Sequence, residues 1–400
     1  MAEKKKKTAV GASVNSFITA IIVIFIMMVL TYILTFIIPG GGIPFWKWVL
    51  SPVLVLFGED NGSLIAIIAL LVVLGGVFNS LDKFGVLKFL LDKITERFGK
   101  SRRILLAVVP LFFMLLGSVA GTFEECVPLV PIVVALAIRF GWDALTGLGM
   151  SILAAGCGFA AGICNPFTIG VAQELAGLPM FSGLWMRAVN FVLIYGLLML
   201  FLTIHVKMVE KPMEDISLAD DDSKYGKVKK EYYLDSKLKK LVVTFSNGVI
   251  SVLPGVLLIL MANSIRFTLM EGNILDVILQ GAINIAEGLP RWSVILFIYA
   301  LVLVMNFFIP SGSAKAFLLM PLIVPTAQAF DISAQLCVMA FAFGDGFSNV
   351  FYPTNPVLLI SLGLANVSYG DWAKWSVKFQ LLNMILTSGI LLVGLAIGYC

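Results

Sequence analysis

Four charged side chains occur in stretches that are otherwise apolar, and they are the residues most able to do chemistry. They are Glu124, Glu125, Lys315 and Asp345. An ionised side chain at the centre of a bilayer costs about 2.5–3.5 kcal/mol on insertion scales, so such a residue usually meets a substrate, an ion or an opposite charge. The pattern predicts recognition of a small charged molecule. A structural pair between Glu125 and Lys315 is the alternative, whereas Glu124 and Asp345 have no equally obvious partner.

Helix-breaking residues accompany polar side chains in both halves of the chain. The segments 165–168 (NPFT) and 354–356 (TNP) join Pro to an amide and a hydroxyl. Pro removes a backbone donor and frees a carbonyl one turn earlier, and the neighbouring Asn or Thr can bond that carbonyl or a ligand. A kink that only aids packing is the alternative. Because the Asn-Pro motif occurs in both halves, we favour a binding role.

The candidate site combines these charged and polar residues. Predicted substrate-binding residues are Glu124, Glu125, Asn165, Thr168, Ser311, Ser313, Lys315, Asp345 and Asn355. Predicted ligands for a coupling ion are Ser118, Thr122, Asn349 and Thr354. Ser and Thr in membrane helices often bond to their own helix, which is the competing interpretation for the hydroxyl residues. The sequence predicts no catalytic residue, no bound metal and no cofactor, and it leaves sodium or proton coupling open.

Composition shows which elements must position these residues. Of the 400 residues, 60% are hydrophobic and 13% are charged, whereas soluble domains are about 45–50% apolar. Apolar runs at residues 17–38, 64–78 and 189–204 are each about long enough for a membrane helix of roughly 20 residues. The fold class predicted is therefore an all-α, polytopic membrane protein.

The chain also matches itself at a fixed offset. A shift of 190 positions places Pro131 on Pro321, Gly156 on Gly346, Asn165 on Asn355, Pro166 on Pro356 and Trp185 on Trp375. Transporter folds commonly contain duplicated halves of opposite topology. We therefore predict an N-terminal repeat with an extra first span over residues 1–206, a cytoplasmic linker over 207–240 and an inverted C-terminal repeat over 241–400.

Each repeat is predicted to contain a re-entrant hairpin and an interrupted helix. As one straight helix, residues 104–140 would be about 55 Å long at 1.5 Å per residue, which exceeds a hydrocarbon core of about 30 Å. This segment must break, and its arms predict a hairpin that enters from the cytoplasmic side. Its counterpart at 292–330 enters from outside. The interrupted helices are predicted at about 144–178 and 334–365.

The distribution of Lys and Arg predicts the orientation. Basic residues are concentrated at 4–7, 83–103 and 207–240, and such segments face the cytoplasm. The amino terminus is therefore predicted inside the cytoplasmic (inner) membrane. The acids between Glu271 and Glu287, with little basic charge beside them, indicate that this segment lies on the outer side. Glu174 and Arg187 are predicted near the outer face, as an interfacial pair or solvated, and His205 at the surface.

Three motifs carry a resemblance to a known family. GSVAGTFEECVPLVPI, GFAAGICNPFTIGVAQELAGLP and GFSNVFYPTNPVLLISLG resemble the YfcC branch of the DcuC-like carriers, within the ion transporter superfamily, and the resemblance extends over most of the chain. It implies a scaffold domain, a mobile transport domain with two opposed hairpins, elevator-type movement and a homodimer. Some members of the branch are assigned to exchange of basic amino acids, such as arginine for ornithine, and DcuC relatives to C4-dicarboxylates. The hairpin tips lack the Ser-Asn-Thr signature of sodium-coupled dicarboxylate relatives, which disfavours sodium coupling.

Function classes can be ranked on these observations. Three acids against one lysine suit a cationic substrate, so a basic amino acid exchanger ranks above a C4-dicarboxylate carrier coupled to sodium ions or protons. An ion channel is the alternative from another class. An enzyme is not expected, because neither HExxH nor GxSxG occurs. The expected partners are a small-molecule substrate, membrane lipid and a second copy of the chain, without nucleic acid.

Overall fold

The computed structural model describes residues 14–38, 42–58, 61–84, 101–121, 123–210 and 234–400. These ranges are helical and contain no β-strand. The α-helices are Val14–Ile37, Phe45–Val49, Ser51–Leu54, Asn61–Lys83, Arg102–Leu115, Val130–Arg139, Ala144–Leu148, Ala154–Ala161, Val171–Leu175, Leu184–Val209, Leu234–Glu271, Ile274–Glu287, Arg291–Phe308, Gly312–Gln328, Ala334–Asn349, Pro356–Leu364 and Tyr369–Ala396. Short 3-10 turns occur at Val55–Phe57 and Glu124–Leu129, and π turns at Leu116–Ala120, Gly149–Leu153 and Pro166–Gly170.

Five helical stretches within these ranges are long and apolar enough to cross a bilayer. They are Arg102–Ala120, Ala144–Leu175, Leu184–Val209, Arg291–Phe308 and Tyr369–Ala396. In Ala144–Leu175, 89% of the most apolar window is buried, against 39% in each of the other four. That stretch is therefore covered by protein on nearly all sides. Irregular backbone at membrane depth is tolerated in such a protein-covered position.

Two segments that the sequence predicts as hairpins, named here the first and second hairpin, and two broken helices contain the candidate site residues. The first hairpin spans residues 102–139 and is interrupted after Ala120; the second spans 291–328 and is interrupted at 309–311. The first broken helix spans 144–175, with an interruption at 162–165. The second broken helix spans 334–364, with an interruption at 350–355. All four interruptions coincide with the Gly- and Pro-containing segments singled out in the sequence.

The helices pack in two groups. In the first helix group, Val14–Ile37 and Asn61–Lys83 pack on Leu234–Glu271. In the second helix group, the hairpins pack against the broken helices. Leu184–Val209 and Tyr369–Ala396 pack on the broken helices at the periphery of this group. The candidate site residues belong to the second helix group.

The turn that ends each hairpin has the same hydrogen bonds in both halves. The amide of Trp142 donates to the carbonyl of Ala137 at 3.0 Å, and the amide of Ile332 donates to that of Ala327 at 3.0 Å. These pairs are related by the 190-residue offset. Trp185 and Trp375, which match at the same offset, do not occupy equivalent positions in the structure. Trp185 is the second residue of its helix, whereas Trp375 lies well inside its own.

The two broken helices cross at a pair of glycines. A Cβ added to Gly346 would lie less than 3.0 Å from the backbone of Ala160, and one added to Gly156 would be equally close to the side chain of Val350. Ala160 and Val350 are also 190 positions apart. Small residues of this kind allow close approach of helices in membranes. The crossing therefore depends on glycine in both halves.

The segment between Glu271 and Glu287, which the sequence predicts on the outer side, contains the helix Ile274–Glu287. Ile274, Val277 and Ile278 recur at spacings of three and four, which indicates an amphipathic helix even though acids interrupt the segment. Residues 4–7, 85–100 and 211–233, which carry most of the basic orientation signal, lie outside the described residues. Orientation stays a prediction.

Candidate functional site

A buried ion pair links the second hairpin to the second broken helix. Lys315 lies in the first turn of Gly312–Gln328, and its Nζ donates to Asp345 Oδ1 at 2.6 Å and to the carbonyl of Ile309 at 3.3 Å. It also donates to Asn306 Oδ1. Neither charged side chain is exposed. A buried ion pair needs such additional hydrogen bonds to offset its lost hydration.

This geometry corrects the pairing considered in the sequence. Lys315 bonds to Asp345, which therefore has a partner, and not to Glu125, whose side chain is exposed. Glu125 and Lys315 are equivalent positions under the 190-residue offset, which is why the sequence suggested this pair. The actual partner is set by which faces of the second hairpin and second broken helix meet.

Asn306 connects the ion pair to the rest of the second broken helix. Its Nδ2 lies 3.1 Å from the carbonyl of Asp345, 2.6 Å from Ser348 Oγ and 2.9 Å from Asn349 Oδ1. Asn349 Oδ1 also accepts from Asn355 Nδ2 at 2.9 Å. The network therefore runs from the second hairpin across the interruption of the second broken helix.

Asn165 and Asn355 start the second arm of their broken helices in the same way. In both, Oδ1 accepts the amide of the residue two positions later at 2.9 Å and of the residue three positions later at 3.3 Å. An Asn at the N-cap followed by Pro is a favoured helix start. The predicted Asn-Pro motifs are therefore helix caps, and each places a helix N-terminus beside an interruption.

Several buried polar atoms at the interruptions lack a hydrogen-bond partner among the described residues. They are Asn165 Nδ2, Thr168 Oγ1, Asp345 Oδ2 and Thr354 Oγ1. Gly312 brings two of these side chains together, since an added Cβ would lie 2.7 Å from Asp345 Oδ2 and 2.7 Å from Thr168 Cγ2. Unpartnered buried polar atoms are costly. They are the groups that a bound polar molecule or water would satisfy.

Ser311 and Ser313 flank Gly312 and are half-buried. The carbonyl of Ser311 accepts the amide of Lys315 at 3.0 Å. The first amides of a helix have no intrahelical acceptor, and together with the helix dipole they favour an anion. The start of Gly312–Gln328 therefore offers an anion-binding end directly beside Asp345.

The first hairpin approaches the site from the other side. Gly121 has a left-handed φ of +69°, and a Cβ there would lie less than 3.0 Å from Asn165 Oδ1. Glu124 is half-buried in the following 3-10 turn and close enough to Asp345 for their charges to interact. Ser118 Oγ accepts the amide of Ile163 at 2.9 Å, so Ser118 holds the interruption of the first broken helix. Thr122 lies outside the described residues.

Two residues of the network were missed in the sequence. Asn306 and Ser348 carry its central hydrogen bonds, and both are buried. The available signal was a lone amide near the end of the apolar helix Arg291–Phe308, because polar residues in such helices usually bond to another helix. Ser348 gave no comparable signal.

Two predictions of surface positions were wrong. Arg187 is buried and donates to the carbonyls of Ile163 at 3.3 Å and Ser182 at 2.7 Å, while Glu174 is exposed. His205 is also buried, 3.1 Å from both carboxylate oxygens of Asp143. Both side chains bond inside the protein because interrupted backbone and a helix cap supply polar partners there.

The contact with His205 affects the carboxyl group of Asp143. Partial burial raises the pKa of this group, but hydrogen bonds from His205 and Thr146 outweigh it, so the pKa lies below its ordinary value. Asp143 also caps the helix that begins at Ala144, since it accepts the amide of Thr146 at 2.8 Å. The start of the first broken helix is thereby attached to Leu184–Val209.

Comparison with known proteins identifies relatives over most of the chain. The family model DcuC, described as "C4-dicarboxylate anaerobic carrier", matches residues 52–244 and 231–397. The chain is 26% identical over 405 aligned positions to an Escherichia coli K12 protein named "Putative basic amino acid antiporter YfcC", covering 86% of this chain and 80% of that one. It is 24% identical over 391 positions to an uncharacterized Haemophilus influenzae protein, covering 84% and 76%. The crystal structure of the Alcanivorax borkumensis YdaH transporter matches with a TM-score of 0.49 and 16% identity, covering 95% of this chain and 99% of that one.

Proposed function

This chain belongs to the DcuC family, described as C4-dicarboxylate anaerobic carriers, and on that premise we propose that it exchanges a basic amino acid across the cytoplasmic membrane. In this proposal it is a secondary active transporter that works by alternating access. Membership of a carrier family supports a transport function. The five long apolar helical stretches among the described residues support a multi-pass membrane protein. The choice of substrate rests on the charges at the site.

The observation that carries the substrate proposal is the balance of charge. Among the described residues that meet at the second hairpin's interruption, Lys315 is already neutralised by Asp345. Glu124 lies close enough to Asp345 to add negative charge there when it is ionised, and Asp345 Oδ2 is unpartnered. A group that donates hydrogen bonds and carries positive charge fits this surrounding.

An amino acid with a cationic side chain can satisfy both ends of the site. Its α-carboxylate would bind at the start of Gly312–Gln328, where free amides and the helix dipole favour an anion. Its α-ammonium group, next to that carboxylate, would meet Asp345 Oδ2, and its cationic side chain would face Glu124. A C4-dicarboxylate would instead bring a second negative charge to these acids, at about 4 kcal/mol for a pair 4 Å apart at an effective ε of about 20.

A C4-dicarboxylate carrier remains the second candidate, and one observation favours it. The Asn caps at Asn165 and Asn355 create two further helix N-termini, and each could hold one carboxylate. Protonation of Glu124 would remove the repulsion. An ion channel is the third candidate, since half-helices also line pores.

Counterflow in proteoliposomes separates these candidates. Vesicles preloaded with labelled ornithine should release it faster when arginine is added outside, while succinate and fumarate have no effect. Acceleration by the dicarboxylates alone would assign the second candidate. Ion conductance without any substrate exchange would assign a channel. Protein-free vesicles loaded with the same ornithine provide the control for leakage.

Elevator movement and assembly as a homodimer are also part of the proposal. The division into two helix groups supports the first, because the second helix group contains every described candidate residue and could move as one body. Val14–Ile37 and Leu234–Glu271 carry large exposed apolar side chains, which lipid or a second copy of the chain could cover. Cross-linking in native membranes would test the dimer.

A further inference from the structure

The ammonium group of Lys315 is surrounded by oxygen atoms of three kinds. It bonds to a carboxylate oxygen of Asp345, an amide oxygen of Asn306 and the backbone carbonyl of Ile309. Ile309 directly follows the last residue of Arg291–Phe308, so its carbonyl belongs to an interrupted membrane helix. Unwound carbonyls and helix C-terminal ends are the groups with which carriers coordinate Na⁺.

We propose that Lys315 fills a monovalent-cation site with its own side chain. The ammonium group, covalently held by the chain, supplies the positive charge that a bound sodium ion would supply at such a site. The carrier therefore needs no sodium at this position, and transport proceeds by exchange of substrates without a sodium gradient. The inference rests on the proposed function as a carrier, but not on which substrate is carried.

The surroundings of Lys315 explain why the site would accept a free ion once the lysine is removed. A Lys315→Ala substitution leaves Oδ1 of Asp345, the amide oxygen of Asn306 and the carbonyl of Ile309 around the space of the former side chain. A buried carboxylate without a counter-charge is strongly destabilising. A small cation that enters would restore the charge balance.

Two of the residues predicted as coupling-ion ligands already accept hydrogen bonds in this structure. Asn349 Oδ1 accepts from Asn306 and Asn355, and Ser118 Oγ accepts the amide of Ile163. Thr354 Oγ1 has no partner among the described residues, but it is a single oxygen atom, whereas three oxygen atoms surround the ammonium group of Lys315. The oxygen atoms around Lys315 therefore form the better cation-type site among the described residues.

Thermal unfolding of purified protein tests the proposal without any substrate. The Lys315→Ala variant should be less stable than wild type in choline chloride, and NaCl at the same ionic strength should raise its melting temperature in a saturable way, as ligand binding to the folded state does. Wild type should respond equally to both salts. Lys378→Ala, which removes an exposed lysine, should also show no sodium-specific effect.

The double variant Lys315→Ala/Asp345→Asn completes the test, because it removes both charges. It should fold and show no preference for sodium. The proposal is overturned if sodium fails to stabilise Lys315→Ala, if that variant cannot be recovered even in NaCl while the double variant can, or if wild type is stabilised by sodium. A wrong substrate assignment would change only the counterflow result and leave these melting temperatures as predicted.

Discussion

Asp345 has two carboxylate oxygens in unlike surroundings, since one bonds to Lys315 and the other has no partner among the described residues. Replacing it by Asn keeps its size but leaves the buried Lys315 without a counter-charge. We expect Asp345→Asn to lower the free energy of unfolding by about 3–5 kcal/mol, as when one partner of a buried pair is removed. Exchange should be lost. Thermal unfolding and counterflow measure the two effects, and a variant that exchanges at the wild-type rate would contradict this role.

Glu124 differs from Asp345 because it is half-buried and contributes charge rather than a salt bridge. We expect Glu124→Gln to reduce exchange at least about tenfold, equivalent to about 1.4 kcal/mol of lost binding, with an unchanged melting temperature. Glu174→Gln is the matched control, because Glu174 is exposed on the same half of the chain. Equal activity of the two variants would remove Glu124 from the site.

Asp143 gives the protein a predictable response to pH. Its folded-state pKa is lowered from 3.8, so its charge stabilises the fold above that pH and this contribution is lost as the pH falls through the folded value. Asn is an equally good helix cap, so Asp143→Asn removes the charge and keeps the cap. The variant should melt below wild type at pH 7, and the difference should shrink below about pH 4. A difference independent of pH would show that the charge has no such role.

At the scale of elements, a side chain added to either glycine at the crossing of the broken helices would meet different atoms in the two halves. A Cβ on Gly156 meets the side chain of Val350, whereas a Cβ on Gly346 meets the backbone of Ala160. Gly156→Ala should therefore destabilise the protein by about 1–3 kcal/mol, as overpacking does, and a second change, Val350→Ala, should restore most of the loss. Gly346→Ala should not be restored by Ala160→Gly, and thermal unfolding of the four proteins measures this. Equal rescue at both positions would contradict the crossing described.

The interruptions of the helices were predictable because their causes are local. Gly, Pro and Asn act through backbone conformation and capping within a few residues, as at Gly121, Asn165 and Asn355. The partner of Lys315 was not predictable, since it depends on how two helices rotate against each other. Arg187 and His205 were misplaced for the same reason: their position near helix ends indicated solvent, but tertiary packing covers both.

At the scale of the whole molecule, the first hairpin should be reachable by water near its interruption. Val119 is about half exposed there, so a single Cys at this position should react with a membrane-impermeant thiol reagent. If the predicted orientation is correct, the reagent acts from the cytoplasmic side. A protein that keeps only Cys157, which is fully buried, is the unreactive control. Reaction from the outer side alone would reverse the predicted topology.

The overall class of the protein followed from composition, whereas its assembly did not. An apolar content of 60% already requires a lipid environment, and the 190-residue offset reappears in the turns at Trp142 and Ile332. Apolar periodicity, however, cannot distinguish a face that meets lipid from one that meets another helix. The two helix groups therefore became visible only in three dimensions.

The first broken helix leaves the ribosome before the residues that cover it have been made. Gly156 packs on Val350, and Gln173 bonds to Gln335, so part of its cover belongs to the second half of the chain. Before that half is synthesised, Ser118 and Arg187 already bond to Ile163 in the interruption, but the faces at Gly156 and Gln173 lack their protein partners, and lipid cannot satisfy polar groups left open there. Insertion of the two halves is thus coupled in time. Nascent chains that stop before residue 334 are expected to be held by the insertion machinery or degraded by membrane proteases.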